Sequence, residues 1–143
     1  MKVEQISVFL ENKPGSLEHA TGALKDANIN IRTLSLAETV DFGILRLIVN
    51  DVEKANKVLK DNGFRVSKTP VVAVEVPDKP GGLHSIMEVV SIEGINVEYL
   101  YAFVEKSGQN AVIIFRFDNP EKAIDILLKH NFTVVPGAQL YDF

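Results

Sequence analysis

The chain repeats itself. At an offset of 66 residues, Ile6-Ser7-Val8-Phe9-Leu10 falls on Val72-Ala73-Val74-Glu75-Val76, and Asn12-Lys13-Pro14-Gly15-Ser16-Leu17 falls on Asp78-Lys79-Pro80-Gly81-Gly82-Leu83. Ile29-Asn30-Ile31 falls on Ile95-Asn96-Val97. Two extra residues near Ser107-Gly108 then change the offset to 68, which brings Glu53-Lys54-Ala55 onto Glu121-Lys122-Ala123 and Phe64 onto Phe132. A correspondence that survives a whole copy with one slip, at a place where a hairpin turn belongs, predicts one supersecondary unit used twice. Residues 1–69 form the first copy and 70–143 the second.

Each copy reads in the same order. Ile6, Val8 and Leu10 alternate with Ser7 and Phe9, the period of a half-buried strand. Pro14-Gly15 breaks it. Leu17, Ala20, Leu24 and Ala27 then recur at helical spacing, as do Leu83, Ile86, Met87 and Val90 in the second copy. Asn28 and Gly94 stand where a helix ends in a left-handed residue. The spacing predicts a second strand over 29–37, a turn at Asp41-Phe42-Gly43 and a third strand over 44–49.

Asn50-Asp51 and Asp118-Asn119-Pro120 are N-terminal caps of a second helix, and Pro120 suits its first position. Ala55, Val58 and Leu59, matched by Ala123, Ile126 and Leu127, form the buried face of that helix. Phe64 to Val66 makes a short fourth strand. Strand, helix, strand, strand, helix, strand is the ferredoxin-like βαββαβ order, an α+β fold. Two right-handed crossovers place both helices on one face of an antiparallel sheet. Ser67-Lys68-Thr69-Pro70 reads as a short linker, with a reach on the order of 14 Å, so the copies are expected to pack as a pseudo-symmetric pair.

The loop from the first strand into the first helix carries the functional signal. A helix start presents amides without intrahelical acceptors, and the helix dipole makes it attractive to a carboxylate. Gly15 leaves the backbone open to close approach, and Asn12 offers a donor and an acceptor. Asn30 opens the second strand, which the reading sets beside the start of the first helix or across an interface from it. The second copy supplies Asp78, Gly81, Gly82 and Asn96; its aspartate favours an ammonium group and repels a carboxylate, so the two sites differ.

At these residues the chain resembles the ACT domain family, regulatory βαββαβ modules that bind amino acids. The resemblance rests on Asn12-Lys13-Pro14-Gly15-Ser16-Leu17 with Ala27-Asn28-Ile29-Asn30-Ile31, and on Asp78-Lys79-Pro80-Gly81-Gly82-Leu83 with Glu93-Gly94-Ile95-Asn96-Val97. It covers nearly the whole chain as two tandem modules. The pattern is closest to the serine-binding module of phosphoglycerate dehydrogenases, where one Asn before the Pro-Gly turn and another at the second strand contact the effector across a dimer interface. By that resemblance the ligand-binding residues are Asn12 to Leu17 with Asn30 and Ile31, and Asp78 to Leu83 with Asn96 and Val97. The resemblance further implies a homodimer and a metabolic enzyme as regulated partner. Its sharper form is that Asn12→Ala or Asn30→Ala weakens binding with little change in thermal stability.

Other classes find less support. The net charge of −4, with 24% charged residues and no block of one sign, argues against a basic nucleic-acid surface or attachment to an anionic membrane. The chain has no cysteine, so thiol nucleophiles, disulfides and Cys-based metal sites are excluded, which suits the reducing cytoplasm. No stretch approaches the roughly 18 apolar residues of a membrane helix. Neither phosphate-binding glycine motif nor nucleophile elbow is present, so the reading is a non-enzyme with no catalytic residue, metal or cofactor. His19, His84 and His130 lack partners at ligand spacing. Tyr99, Tyr101 and Phe103 alternate on one strand and read as sheet core or an interface between modules, the alternative being the lining of a pocket for a large side chain. The alternative to a small-molecule sensor is a scaffold whose modules serve only to dimerise or dock.

Overall fold

The computed structural model describes residues 1–103 and 110–141. The predicted slip at Ser107-Gly108 lies outside the described residues. Contacts divide the chain into two units, one of Pro70–Gln139 joined by Met1–Val3 and one of Glu4–Thr69 joined by Leu140 and Tyr141. The two ends therefore do not follow the division into 1–69 and 70–143. Lys2 Nζ donates to Glu121 Oε1 at 2.7 Å, and the Glu4 N–H donates to the Tyr141 hydroxyl at 3.2 Å. These contacts tie each end to the copy distant from it in sequence.

The first module runs β1 (Val3–Glu11), α1 (Ser16–Asp26), β2 (Ile31–Glu38), β3 (Phe42–Val49), α2 (Val52–Asp61) and the opening of β4 (Arg65–Pro77). The second uses the rest of β4, then α3 (Gly82–Ile92), β5 (Val97–Phe103), β6 (Asn110–Phe117), α4 (Pro120–Lys129) and β7 (Val134–Val135); a short α5 (Gly137–Tyr141) follows. Strand order is β2-β3-β1-β4 in the first module and β5-β6-β4-β7 in the second, the same order twice. In the first module Ile6 pairs with Leu47 and Leu34 with Leu47; in the second Val72 pairs with Phe115, and these ladders are antiparallel.

Alternation along the strands builds each core. Ile6, Val8 and Leu10 of β1 and Leu45, Leu47 and Val49 of β3 share one cluster with Ala20 and Leu24 of α1 and Ala55 and Leu59 of α2. Both helices therefore cover the same face of the sheet. The second cluster repeats it with Val72, Val74, Val76, Phe115 and Phe117 beneath Ile86, Val90, Ala123 and Leu127. The second helix of each module is capped by Asp51 and Asn119, whose side chains accept from the amides of Lys54 and Lys122 at 3.1 Å. Asn50 and Asp118 do something else: their side-chain oxygens accept the N–H of Asn30 at 2.9 Å and of Asn96 at 3.0 Å. Each thereby staples the entry of the second strand to the exit of the third.

Two expectations are corrected. Phe42 and Gly43 belong to β3, and the turn is Thr39 to Asp41, closed by the Thr39 N–H to the Phe42 carbonyl at 2.7 Å. The linker over 67–70 is instead the middle of one 13-residue strand, β4. Thr69 and the flanking Val66, Val71 and Val72 are β-branched and favour an extended chain there. Pro70 has no N–H to contribute to a ladder, but its carbonyl accepts from Arg116 Nη1 at 2.8 Å. No helix among the described residues is long and apolar enough to cross a membrane.

Candidate functional site

Both predicted helix starts are built on a left-handed glycine. Gly15 has φ 90° and Gly81 φ 86°, and neither helix has a side chain bonded to its N-terminal amides. The Ser16 N–H reaches the Lys13 carbonyl at 3.4 Å, and the Gly82 N–H the Lys79 carbonyl at 3.1 Å. The next amides, of Leu17 and Glu18 and of Leu83 and His84, have no acceptor among the described residues. These are the free donors that a carboxylate would take.

A Cβ on Gly81, the equivalent of Gly15, would meet nothing within 4 Å, so the two starts differ in tightness only at the residue that follows. A Cβ on Gly15 would meet nothing within 4 Å, whereas one on Gly82 would lie 2.2 Å from the Pro77 carbonyl oxygen. Glycine at 82 is thus demanded by close packing of helix on strand, and Ser16 occupies the equivalent, roomier position of the first module.

Beside Gly15 lies an open concavity of about 590 Å³ at the end of the sheet. The β1–α1 turn from Lys13 to Ser16 forms one wall, and the α2–β4 turn from Asn62 to Arg65 the other. Phe9, Phe42 and Phe64 supply apolar surface, with His19 tilted against Phe64 at a ring separation of 4.8 Å. Glu11 is the acid of the lining, and it pairs with Lys13 at 2.9 Å. Arg65 has no acidic partner among the described residues; its guanidinium carbon lies 5.8 Å from the centre of the Phe9 ring. Sequence reasoning missed Arg65, Phe9, Phe42 and Phe64. Arg65, Phe42 and Phe64 are distant from the Pro-Gly turn in sequence, and Phe9, five residues before Pro14, reads only as the outward side of a strand.

Asn12 and Asn30 are not brought together within the module. Asn12 stands where β1 ends, and Asn30 stands at the far end of the sheet, beside the close of α1 rather than its start. The eight residues of β2 separate those ends by roughly 25 Å. Asn12 Nδ2 donates to the carbonyls of Thr39 at 3.0 Å and Val40 at 3.3 Å, and so braces the β2–β3 turn. The Asn30 side chain is exposed, as is that of Asn96. Asn96 and Val97 line a shallower concavity of about 430 Å³ against the end of α3.

The second module does not reproduce the first concavity's chemistry. Glu75 stands in place of Phe9 and Asn110 in place of Phe42, and the two are hydrogen bonded at 2.7 Å. Thr133 stands in place of Arg65, and Asp78 in place of Asn12. Of the remaining candidates, His84 lies 3.2 Å from Glu88 on exposed helix surface. The His130 ring nitrogen lies 3.0 Å from the Ile126 carbonyl, and Phe103 is buried. Among the described residues no three His, Cys, Asp or Glu side chains gather at metal-binding distance.

The comparisons with known proteins agree with this architecture. A family model described as an ACT domain pair matches residues 1–143. The chain belongs to the ACT domain pair family. This ACT domain pair is 40% identical to protein BT0572 from Bacteroides thetaiotaomicron, with a TM-score of 0.94 over 100% of this chain and 98% of that one. It also superposes on the ligand-free regulatory subunit of aspartate kinase from Thermus thermophilus, with a TM-score of 0.64 at 16% identity, over 88% of this chain and 91% of that one. A structure of aspartokinase alpha and beta subunits gives 0.56 at 23% identity, over 88% and 90%. At those identities the likeness shows a shared fold. A search of curated proteins returned no match.

Proposed function

We propose that this ACT domain pair is a cytoplasmic sensor that binds a free amino acid at the start of α1 and thereby biases the state of a partner protein. One observation carries the reading: the amides of Leu17 and Glu18 are uncapped, and the turn that leads into them, Lys13 to Ser16, lines an open concavity of about 590 Å³ together with Arg65. Free amides and a helix dipole at this turn, with Arg65, which has no acidic partner among the described residues, in the same lining, suit an α-carboxylate. The volume lies within the range of small-molecule sites. A ligand that favours one arrangement of the chain shifts its equilibrium only by its differential affinity, which is how a partner metabolic enzyme would be regulated.

Titration calorimetry with the twenty amino acids tests this reading. Saturable heat from at least one of them is the expected result. Silence across the set from a folded sample overturns it.

A second reading, a docking scaffold that forms a homodimer, is favoured by the outermost strands. β2 and β5 end the strand order of their modules, and Leu34, Leu36 and Leu100 on them are exposed. An unpaired edge with apolar side chains invites another strand. Sedimentation of the chain alone tests this reading, and a monomer at all concentrations rejects it.

A further inference from the structure

The concavity of the first module has a composition that narrows its ligand. Three phenylalanines line it, Phe9 from β1, Phe42 from β3 and Phe64 from the α2–β4 turn, where Phe64 also packs on the core. A small polar amino acid would leave the exposed Phe9 and Phe42 against water and gain no partner for its side chain from them. A planar aromatic side chain would cover them in offset or edge-on contact, which favours such pairs beyond area burial alone. The charges point the same way. Glu11 is engaged by Lys13, while Arg65 lies over Phe9 with no carboxylate of its own among the described residues. The cavity therefore lacks one negative charge and one apolar group.

We infer that the first module selects an aromatic amino acid, with Arg65 as the carboxylate clamp and Phe42 as part of the side-chain wall. The inference rests on the amino-acid-binding reading above and adds the ligand's side chain and the stoichiometry. The second module carries the hydrogen-bonded pair Glu75 and Asn110 where the first has phenylalanines, and Thr133 where the first has Arg65. An acid in the wall and no guanidinium make that position unfavourable for the same ligand. One site per chain follows from an internally duplicated protein.

The test is calorimetry of the full chain with L-phenylalanine, L-serine and L-lysine, on the wild type and on Arg65→Ala, Arg65→Lys and Phe42→Ala. L-phenylalanine is expected to bind at one site per chain, at least about tenfold tighter than the other two. Arg65→Ala is expected to weaken it about tenfold or more, and Arg65→Lys less, because lysine keeps the charge and loses the fork. Phe42→Ala is expected to lower discrimination between phenylalanine and serine. Thermal unfolding of each variant shows whether the fold is retained. Serine or lysine bound as tightly as phenylalanine, two equivalent sites, or unchanged binding in folded Arg65→Ala overturns this inference and leaves the sensor reading standing. No binding by any of the twenty amino acids removes both.

Discussion

The Asn12 side-chain amide donates to the Thr39 carbonyl at 3.0 Å, joining the end of β1 to the turn between β2 and β3. A second branch reaches the Val40 carbonyl at 3.3 Å, and the Asn12 N–H itself donates to the Asp41 carbonyl at 2.9 Å. Asn12→Ala is therefore expected to cost about 1 kcal/mol, the usual worth of such a bond. Urea unfolding checks this, and amide exchange over Thr39 to Asp41 should quicken in parallel. An unchanged midpoint with a large loss of amino-acid binding would instead assign Asn12 to direct ligand contact.

Gly15, at the first helix start, and Gly82, one residue past the equivalent Gly81, should respond differently to alanine. Gly15→Ala meets no atom but keeps a φ of 90°, a left-handed cost of about 1–2 kcal/mol. Gly82→Ala places a methyl 2.2 Å from the Pro77 carbonyl oxygen, so strand and helix must separate. About 1–3 kcal/mol or more is expected, as for overpacking. Thermal melts of the two single variants give the comparison, and equal values would contradict the close approach at Gly82.

Asn50 and Asp118 do the same task in the two modules with different chemistry. Each accepts from the amide of the strand-opening asparagine and returns its own N–H to that residue's carbonyl, at 3.2 Å for Asn50 and 3.1 Å for Asp118. Asp118→Asn should be nearly neutral, because an amide oxygen still accepts. Asn50→Ala should cost about 1 kcal/mol by leaving the Asn30 amide without its side-chain acceptor. Equilibrium unfolding of both distinguishes an accepting role from a charge-dependent one.

The ion pair between Lys2 and Glu121 gives a pH dependence of known sign. The Lys2 ammonium, through its hydrogen bond, holds the Glu121 carboxyl below its usual range, and the residue's own backbone N–H adds to this. A depressed folded pKa contributes stability above the ordinary carboxylate range, lost as pH falls through the depressed value. Wild type and Glu121→Gln should differ slightly at neutral pH and converge in acid. Both partners are well exposed, so salt should shrink the difference too. A gap that persists in acid or high salt would mean the side chain acts by packing.

Much of the fold was legible in local patterns. Alternation in Ile6, Val8 and Leu10 and helical spacing in Ala20 and Leu24 set which faces are buried, and these residues meet in one cluster. Left-handed positions were legible too, since Asn28 at φ 58° and Gly94 at φ 72° close their helices as composition suggests. β4 was not, because a four-residue stretch containing proline reads as a linker whether or not flanking strands hold it extended. The role of Asn50 was also hidden. Next to Asp51 it reads as a cap, and only the pairing of β2 with β3 shows which of the two faces the helix.

By itself the sequence determined the duplicated βαββαβ order, the two cores and the glycine at each helix start, because each depends on residues within a few positions of one another. Tertiary structure alone decided that Arg65 and Phe42 stand beside Gly15, that Asn12 braces a turn, and that Asn30 lies at the opposite end of the module. Those juxtapositions follow from strand order and register, which bring together residues tens of positions apart that no local period relates.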